Sequence, residues 1–332
     1  MKTNAIIRIV IWSLVLVILV GILGSFVSHS ALSNLRRAHS GSTQEEAPVQ
    51  ALPNENTLTL APDAIREIKI EWVAGDIIIQ PMDTDVITVS ESDISDPRYT
   101  MVWQDRGEKL EIHFCEDSIT VGFGVNLDEE ISKDLYIYVP RDWMCDSLEI
   151  DAASATVEIN DLTIRELDFD GASGTCNLEN CIITDLDIDT ASGDVRFSGS
   201  LTTLDFDAAS ASFIGEFVNT PSRIDMDGMS GDLDIALPED TGFTVIMDGL
   251  SSHFSSEFQT GHRNGTEVYG DGRCRINVDG MSCDVTIRKG ASAAIAPTEQ
   301  QPELCTDPDC TVPEEHYHRT VTEVITNEAY AN

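Results

Sequence analysis

Leu186-Asp187-Ile188-Asp189-Thr190-Ala191-Ser192-Gly193-Asp194-Val195-Arg196-Phe197 is the stretch that decides the fold. Its first four residues alternate apolar and acidic, the two-residue period of a strand with one buried face. Small residues and a glycine follow, marking a corner. Asp194 to Phe197 then resumes the alternation as a second short strand. The phrase at the centre is Asp, any residue, a small or apolar residue, Ser. It recurs seven times, at Asp151–Ser154, Asp170–Ser173, Asp189–Ser192, Asp207–Ser210, Asp227–Ser230, Asp248–Ser251 and Asp279–Ser282. The serine-to-serine steps are 19, 19, 18, 20, 21 and 31 residues. A unit this short cannot bury a core alone and must stack on copies of itself.

Aligned copies place Val157, Cys176, Val195, Phe213, Leu233 and Val285 at one equivalent position. All are apolar, so that position is expected to face inward. No helical period of useful length appears between Thr57 and Lys289. The expected fold is all-β: a single elongated β-solenoid, parallel β-helix-like, with coils ~4.8 Å apart. The stretch Ile68-Lys69-Ile70-Glu71-Trp72-Val73-Ala74-Gly75-Asp76-Ile77 is a degenerate copy with the same strand, corner and strand. Residues 100–139 supply further alternating strands, such as Lys109-Leu110-Glu111-Ile112-His113-Phe114. The long last step implies an inserted loop around His262-Arg263-Asn264-Gly265.

The chain ends differ in character. Ile9 to Val27 is nineteen residues without a charge, long enough to span a bilayer. Lys2 and Arg8 precede it, which favours a cytoplasmic N-terminus, while Arg36 and Arg37 beyond it weaken that bias. A cleaved signal peptide ending near Ser28-His29-Ser30 is the rival, but the apolar run exceeds a usual signal core. The expected organisation is a short cytoplasmic N-terminus at 1–8, a transmembrane anchor at 9–27 and a flexible stalk at 28–56. The solenoid then fills 57–290, and 291–332 forms a disordered tail rich in Ala, Pro, Glu and Thr.

The formal charge is −38, from 58 acidic and 20 basic residues. That balance argues against nucleic acid, whose phosphates are neutralised by Lys and Arg, and against lying on an anionic lipid surface. Of the eight cysteines, Cys176/Cys181, Cys274/Cys283 and Cys305/Cys310 are close enough in sequence to be disulfide candidates. Cys176, at an inward position, also suits a buried free thiol. Cys305, Cys310, His316 and His318 offer four soft ligands, but not at a zinc-finger spacing.

Stacking would superpose Asp151, Asp170, Asp189, Asp207, Asp227, Asp248 and Asp279 in one column, with Glu149, Asp168, Asp187, Asp205 and Asp225 in a second. Unit charges at coil spacing repel by roughly 1 kcal/mol even in water. The expected remedy is an Asx-type turn, each Asp accepting from backbone N–H groups two residues on, with Ser acting alike. The rival is a ladder of calcium ions on the seven aspartates. Neither the glycine-rich calcium nonapeptide nor EF-hand spacing is present. A catalytic triad is a poor reading, since a catalytic site is one unique constellation and these residues recur as architecture. No P-loop, Rossmann fingerprint or metalloprotease histidine pair occurs.

The phrases Leu135-Tyr136-Ile137-Tyr138-Val139-Pro140, Ser192-Gly193-Asp194, Ser230-Gly231-Asp232 and Leu233-Asp234-Ile235-Ala236-Leu237-Pro238 resemble the bacterial putative-adhesin β-strand-repeat family. The resemblance spans 57–290. It implies a β-solenoid outside the membrane, held by an anchor helix, with no established enzymatic activity and no binding residues to carry over. Ser154-Ala155-Thr156, Ser210-Ala211-Ser212, Ser251-Ser252-His253 and Ser282-Cys283-Asp284 depart from Ser-Gly-Asp, implying less tight corners. The expected function is a non-enzymatic, membrane-anchored envelope scaffold without cofactors, presenting an acidic solenoid for adhesion or for interaction with a protein or envelope component. The alternative is an envelope regulatory or sensory protein working with a membrane partner through its anchor helix.

Overall fold

The computed structural model describes residues 50–51, 57–92, 96–116, 132–263 and 265–290. The expected anchor at 9–27, the tail at 291–332 and the Cys305, Cys310, His316, His318 cluster lie outside them. Among the described residues no helix is long and apolar enough to cross a membrane. The strands are β1 (Gln50–Ala51), β2 (Thr57–Leu60), β3 (Glu67–Met82), β4 (Ile87–Glu91), β5 (Val102–Asp105), β6 (Lys109–His113), β7 (Leu135–Pro140) and β8 (Met144–Asn160). They continue as β9 (Thr163–Phe217), β10 (Arg223–Leu237), β11 (Phe243–Gly249), β12 (Phe254–Ser256), β13 (Gly261–Arg263), β14 (Thr266–Tyr269) and β15 (Cys274–Lys289). One sheet system includes all fifteen. Among the described residues there are also two short 3-10 turns, Pro62–Ala64 and Pro97–Tyr99.

The expected parallel stacking is present and in register. Ile77 pairs with Val157 between β3 and β8, and Val157 with Cys176 between β8 and β9. Phe213 pairs with Leu233 between β9 and β10, and Leu233 with Val285 between β10 and β15. All six residues expected inward are at most 1% exposed. Burying such side chains is worth about 1.5–3 kcal/mol each, the main force holding coil to coil.

The coils laid down through β8 and β9 turn in three places. At the first corner Gly174 and Gly193 have φ of 136° and 123°. A Cβ there would stand 2.0 Å from Ala155 O and 1.8 Å from Gly174 O, so only glycine lets the coils touch. At the second corner Asp161 and Asn180 both have φ of 56°, the left-handed region that Asp and Asn tolerate best. Asn180 Nδ2 donates to Asp161 Oδ1 at 2.5 Å, joining one coil to the next. At the third, the alternation breaks into two exposed residues, Arg165-Glu166 and Thr184-Asp185, between buried Ile164 and Leu167, and Ile183 and Leu186.

Stack order departs from sequence order at both ends. β3 lies between β8 on one side and β6 with β7 on the other. β15 inserts between β10 and the pair β11 and β12. The chain thus lays down an outermost coil and returns to fill, or overshoots and comes back. The 31-residue final step provides the length for the return. Its expected loop is the β13–β14 hairpin, and β14 pairs antiparallel with β11. At the other end β4 and β5 run antiparallel to β7 and β6. Antiparallel strands therefore cover edges that would otherwise recruit another chain. Gln50–Ala51, within the span expected as stalk, pairs with Trp103 and Val102 of β5.

The N-terminal end of the core is closed by an ion pair. Lys133 and Glu91 contact each other with side chains 0% exposed. Lys133 Nζ also donates to Tyr99 O and Phe114 O, both at 2.6 Å, and sits over the rings of Trp72 and Phe114. Glu91 in turn accepts from Met101 N–H at 3.0 Å. The disulfide candidates among described residues are not formed: Cys176, Cys181, Cys274 and Cys283 are buried free thiols. Their side chains face the core, where Cys181 Sγ donates to Ile159 O at 3.4 Å. Burial pushes the Cys181 thiol up to about 11 and Cys274 to about 12.

Candidate functional site

The seven aspartates do form one column. Asp151 pairs with Asp170, Asp207 with Asp227, Asp227 with Asp279, and Asp279 with Asp248. The last two links follow the changed coil order. Asp189 continues the column within β9, where its coil abuts those of Asp170 and Asp207. The second column is also real: Glu149 pairs with Asp168 and Asp205 with Asp225. Both occupy outward positions of the same strand, two residues apart, because inward Ile150, Phe169, Ile188 and Phe206 fix the alternation.

The expected Asx turns are not what the aspartates make. Among the described residues, none of the seven accepts a hydrogen bond from a backbone N–H; the corner is instead held by inter-coil backbone pairing. Two of the repeat serines bond across coils rather than within a turn. Ser173 Oγ donates to Ala153 O, and Ser192 Oγ to Ala172 O, each at 3.4 Å. A turn bond requires the side chain to fold back on its own corner, whereas the strand directs these carboxylates outward beside the next coil.

Polar partners gather at the two ends of the columns. Lys69 Nζ lies 2.5 Å from Glu149 Oε1 and 3.0 Å from Asp151 Oδ2. Lys109 Nζ is 3.3 Å from Glu149 Oε2. At the far end Asn277 Nδ2 donates to Asp225 Oδ1 at 2.5 Å, and Arg223 pairs with Asp225 at 2.6 Å. The repeat phrase alone does not reveal these partners. Lys69 could have been found, because the degenerate copy at 68–77 aligns it with Glu149 and Asp168. Asn277 could not, since its neighbour depends on the coil order.

Between the ends, Asp168, Asp170, Asp187, Asp189, Asp207 and Asp227 form no salt bridge among the described residues. Partial burial, then repulsion from neighbouring carboxylates, raises their pKa. Asp168 is pushed up to about 6, and Asp170 and Asp207 to about 7. Asp187, Asp189 and Asp227 shift in the same direction for the same reasons. Asp207 Oδ1 is buried without a hydrogen-bond partner among the described residues. Near the C-terminal end, Asp205, Asp225, Asp227, Asp248 and Asp279 line an open groove of about 390 Å³ with Ile246, Asn277 and Val278. The seven aspartates expected as the calcium alternative are strung along the stack rather than converging. Among the described residues, no group of three or more His, Cys, Asp or Glu is placed to hold a metal ion.

The fold and site together define a class: an all-β, solenoid-like repeat protein with a carboxylate ladder on its surface. Residues 65–213 match the family model Toastrack DUF4097, which bears out the resemblance read from the repeats. The same stacking continues past that match through β10 and β15. Two solved structures are similar. One is a putative cell adhesion protein from Clostridium sporogenes ATCC 15579, 12% identical, covering 72% of this chain and 100% of its own, with a TM-score of 0.30. The other is a putative adhesin from Bacteroides fragilis NCTC 9343, 10% identical, covering 74% of this chain and 100% of its own, with a TM-score of 0.37. No curated protein matches.

Proposed function

We propose that this protein is a non-enzymatic, membrane-anchored scaffold of the cell envelope that presents its acidic solenoid face to a protein or envelope partner. The observation that carries this reading is the run of carboxylates without salt-bridge partners among the described residues, held at fixed spacing by parallel register. Keeping like charges together costs stability, and a cationic partner surface would offset that cost. The Ser and Asp residues recur once per coil, which supports a structural use for them rather than catalysis. The apolar run at 9–27 would tether the domain outside the cytoplasm.

The test is capture of envelope proteins by the full chain, compared with a variant carrying Asp168→Asn, Asp170→Asn, Asp189→Asn and Asp207→Asn. The parent should retain partners that the variant loses, and raised salt should release them, because screening shortens the reach of exposed charges to about 8 Å at physiological ionic strength. Equal capture by both forms would refute the ladder as the contact surface. Removing residues 1–30 separates the scaffold from a membrane regulator: a scaffold keeps its partners, a regulator loses them.

A further inference from the structure

The strands after the first corner present a face unlike the acidic one. In β7 the residues Leu135, Ile137 and Val139 are each 0% exposed. That buried set forces Tyr136 and Tyr138 onto the outer face, ~7 Å apart along the strand. Neighbouring strands extend the face on both sides. Thr59 pairs with Thr88, Thr88 with Tyr138 and Tyr138 with Gln80. Ile79 pairs with Ile159, which sets Gln80 beside Asn160. The line therefore reads Thr59, Thr88, Tyr138, Gln80, Asn160, crossing β2, β4, β7, β3 and β8 over ~19 Å. A parallel line two residues away reads Thr57, Ser90, Tyr136, Ile78, Glu158.

On a chain of net charge −38, Glu158 is the one charged residue in these two lines. Charge returns at the next coil, where Glu179 pairs with Asn160. Tyr136 OH donates to Asp134 Oδ2 at 3.2 Å, which fixes its ring. Among the described residues, the side chains of Thr59, Thr88, Tyr138, Gln80 and Asn160 make no hydrogen bond to protein. Their donors and acceptors stand in line on either side of the two rings.

We propose that this face binds an uncharged, extended glycan laid across the strands. A sugar ring offers apolar C–H groups on its faces and hydroxyls at its rim. The tyrosine rings match the first, each with an apolar body and a polar tip. The amides of Gln80 and Asn160 match the second, since each carries both a donor and an acceptor for neighbouring hydroxyls. A pyranose ring is about as long as the ~4.8 Å strand spacing, so successive sugars would stay in step with successive strands. Charge selects this occupant over others. An anionic polymer or lipid headgroup requires cations that the face lacks. The core of a protein interface is more apolar than these hydroxyls and amides. The inference is independent of the acidic ladder, which lies on the strands before the first corner.

The test applies the full chain to an array of immobilised linear oligosaccharides, neutral and anionic, and titrates the tightest one by calorimetry. The parent should retain neutral oligosaccharides and leave the anionic ones. Tyr138→Ala should weaken binding about tenfold. Tyr138→Phe keeps the ring and should restore most of that loss, and Gln80→Ala with Asn160→Ala should weaken binding as well. The variant with Asp168→Asn, Asp170→Asn, Asp189→Asn and Asp207→Asn should bind like the parent, so failure of the ladder and failure of this face are read separately. All these side chains lie outside the core, so folding is retained, which circular dichroism checks. Retention of no neutral oligosaccharide, or full binding by Tyr138→Ala, would overturn the proposal. If Tyr138→Ala instead releases captured envelope proteins while no glycan binds the parent, the face is a protein contact and the proposal fails.

Discussion

Gly193 shows how much one residue decides. Its φ is 123°, and any Cβ would stand 1.8 Å from Gly174 O, so no side chain fits without moving a coil. Gly193→Ala should cost roughly 1–3 kcal/mol, the range for a strained backbone position, read as a lower urea midpoint. Copies without this glycine, such as Ala155 and Ala211, do not adopt positive φ, so their corners turn by ordinary backbone angles. The inward residues were legible because alternation names them directly. Val195, 1% exposed, is one of them. Val195→Asp buries a carboxylate with no partner, at a cost of several kcal/mol. Solenoid coils contact only their neighbours, so hydrogen exchange should rise first at the coils on either side. Unchanged exchange there would contradict the register.

The elements that were hardest to foresee are those that end the stack. Residues 100–139 lack the Asp and Ser phrase, so nothing in their pattern reveals that β6 and β7 form a coil outside β3. The 31-residue step announced an insertion but not that β15 slides inside β11. Both outcomes depend on which edge an antiparallel cover can protect, a question of three-dimensional pairing rather than period. Lys133 and Glu91 belong to the same cap and were equally hidden, since a single Lys in a polar stretch gives no hint of burial. Burial lowers the pKa of Lys133 despite the pull of Glu91. Lys133→Met alone should destabilise by about 3–5 kcal/mol, because it strands a buried carboxylate. Lys133→Met with Glu91→Leu should recover most of that loss in the same denaturant titration. If the double variant is as unstable as the single one, the cost lies in packing around Trp72 and Phe114, not in the unpaired charge.

Across the whole molecule, register turns a repeated sequence phrase into two lines of carboxylates. The columns themselves were readable from repeat spacing; the way their charge is managed was not. Turn capping was the reasonable expectation for Asp at a corner, but strand geometry points these side chains outward, where they meet each other. The consequence is a pH dependence with a definite sign. Asp168, Asp170 and Asp207 titrate at about 6, 7 and 7 in the folded protein, against ~3.9 in an unfolded chain. Between those values the folded state holds more protons, so stability falls as pH rises. The contribution is complete in acid and lost as pH passes through the folded values.

The most direct test is therefore the Tm of the full chain from pH 5 to pH 8, for the parent and for the variant with Asp168→Asn, Asp170→Asn, Asp189→Asn and Asp207→Asn. The carboxylates near Lys69 and the histidines are common to both proteins, so the difference isolates the ladder. The parent should lose several degrees across this range, since ~1 kcal/mol moves Tm by about 2–4 °C in a domain of this size. The variant should change much less and should melt higher than the parent at pH 8. Parallel curves, or a variant that melts lower at pH 8, would contradict the claim that coil register stacks these carboxylates into unpaired columns.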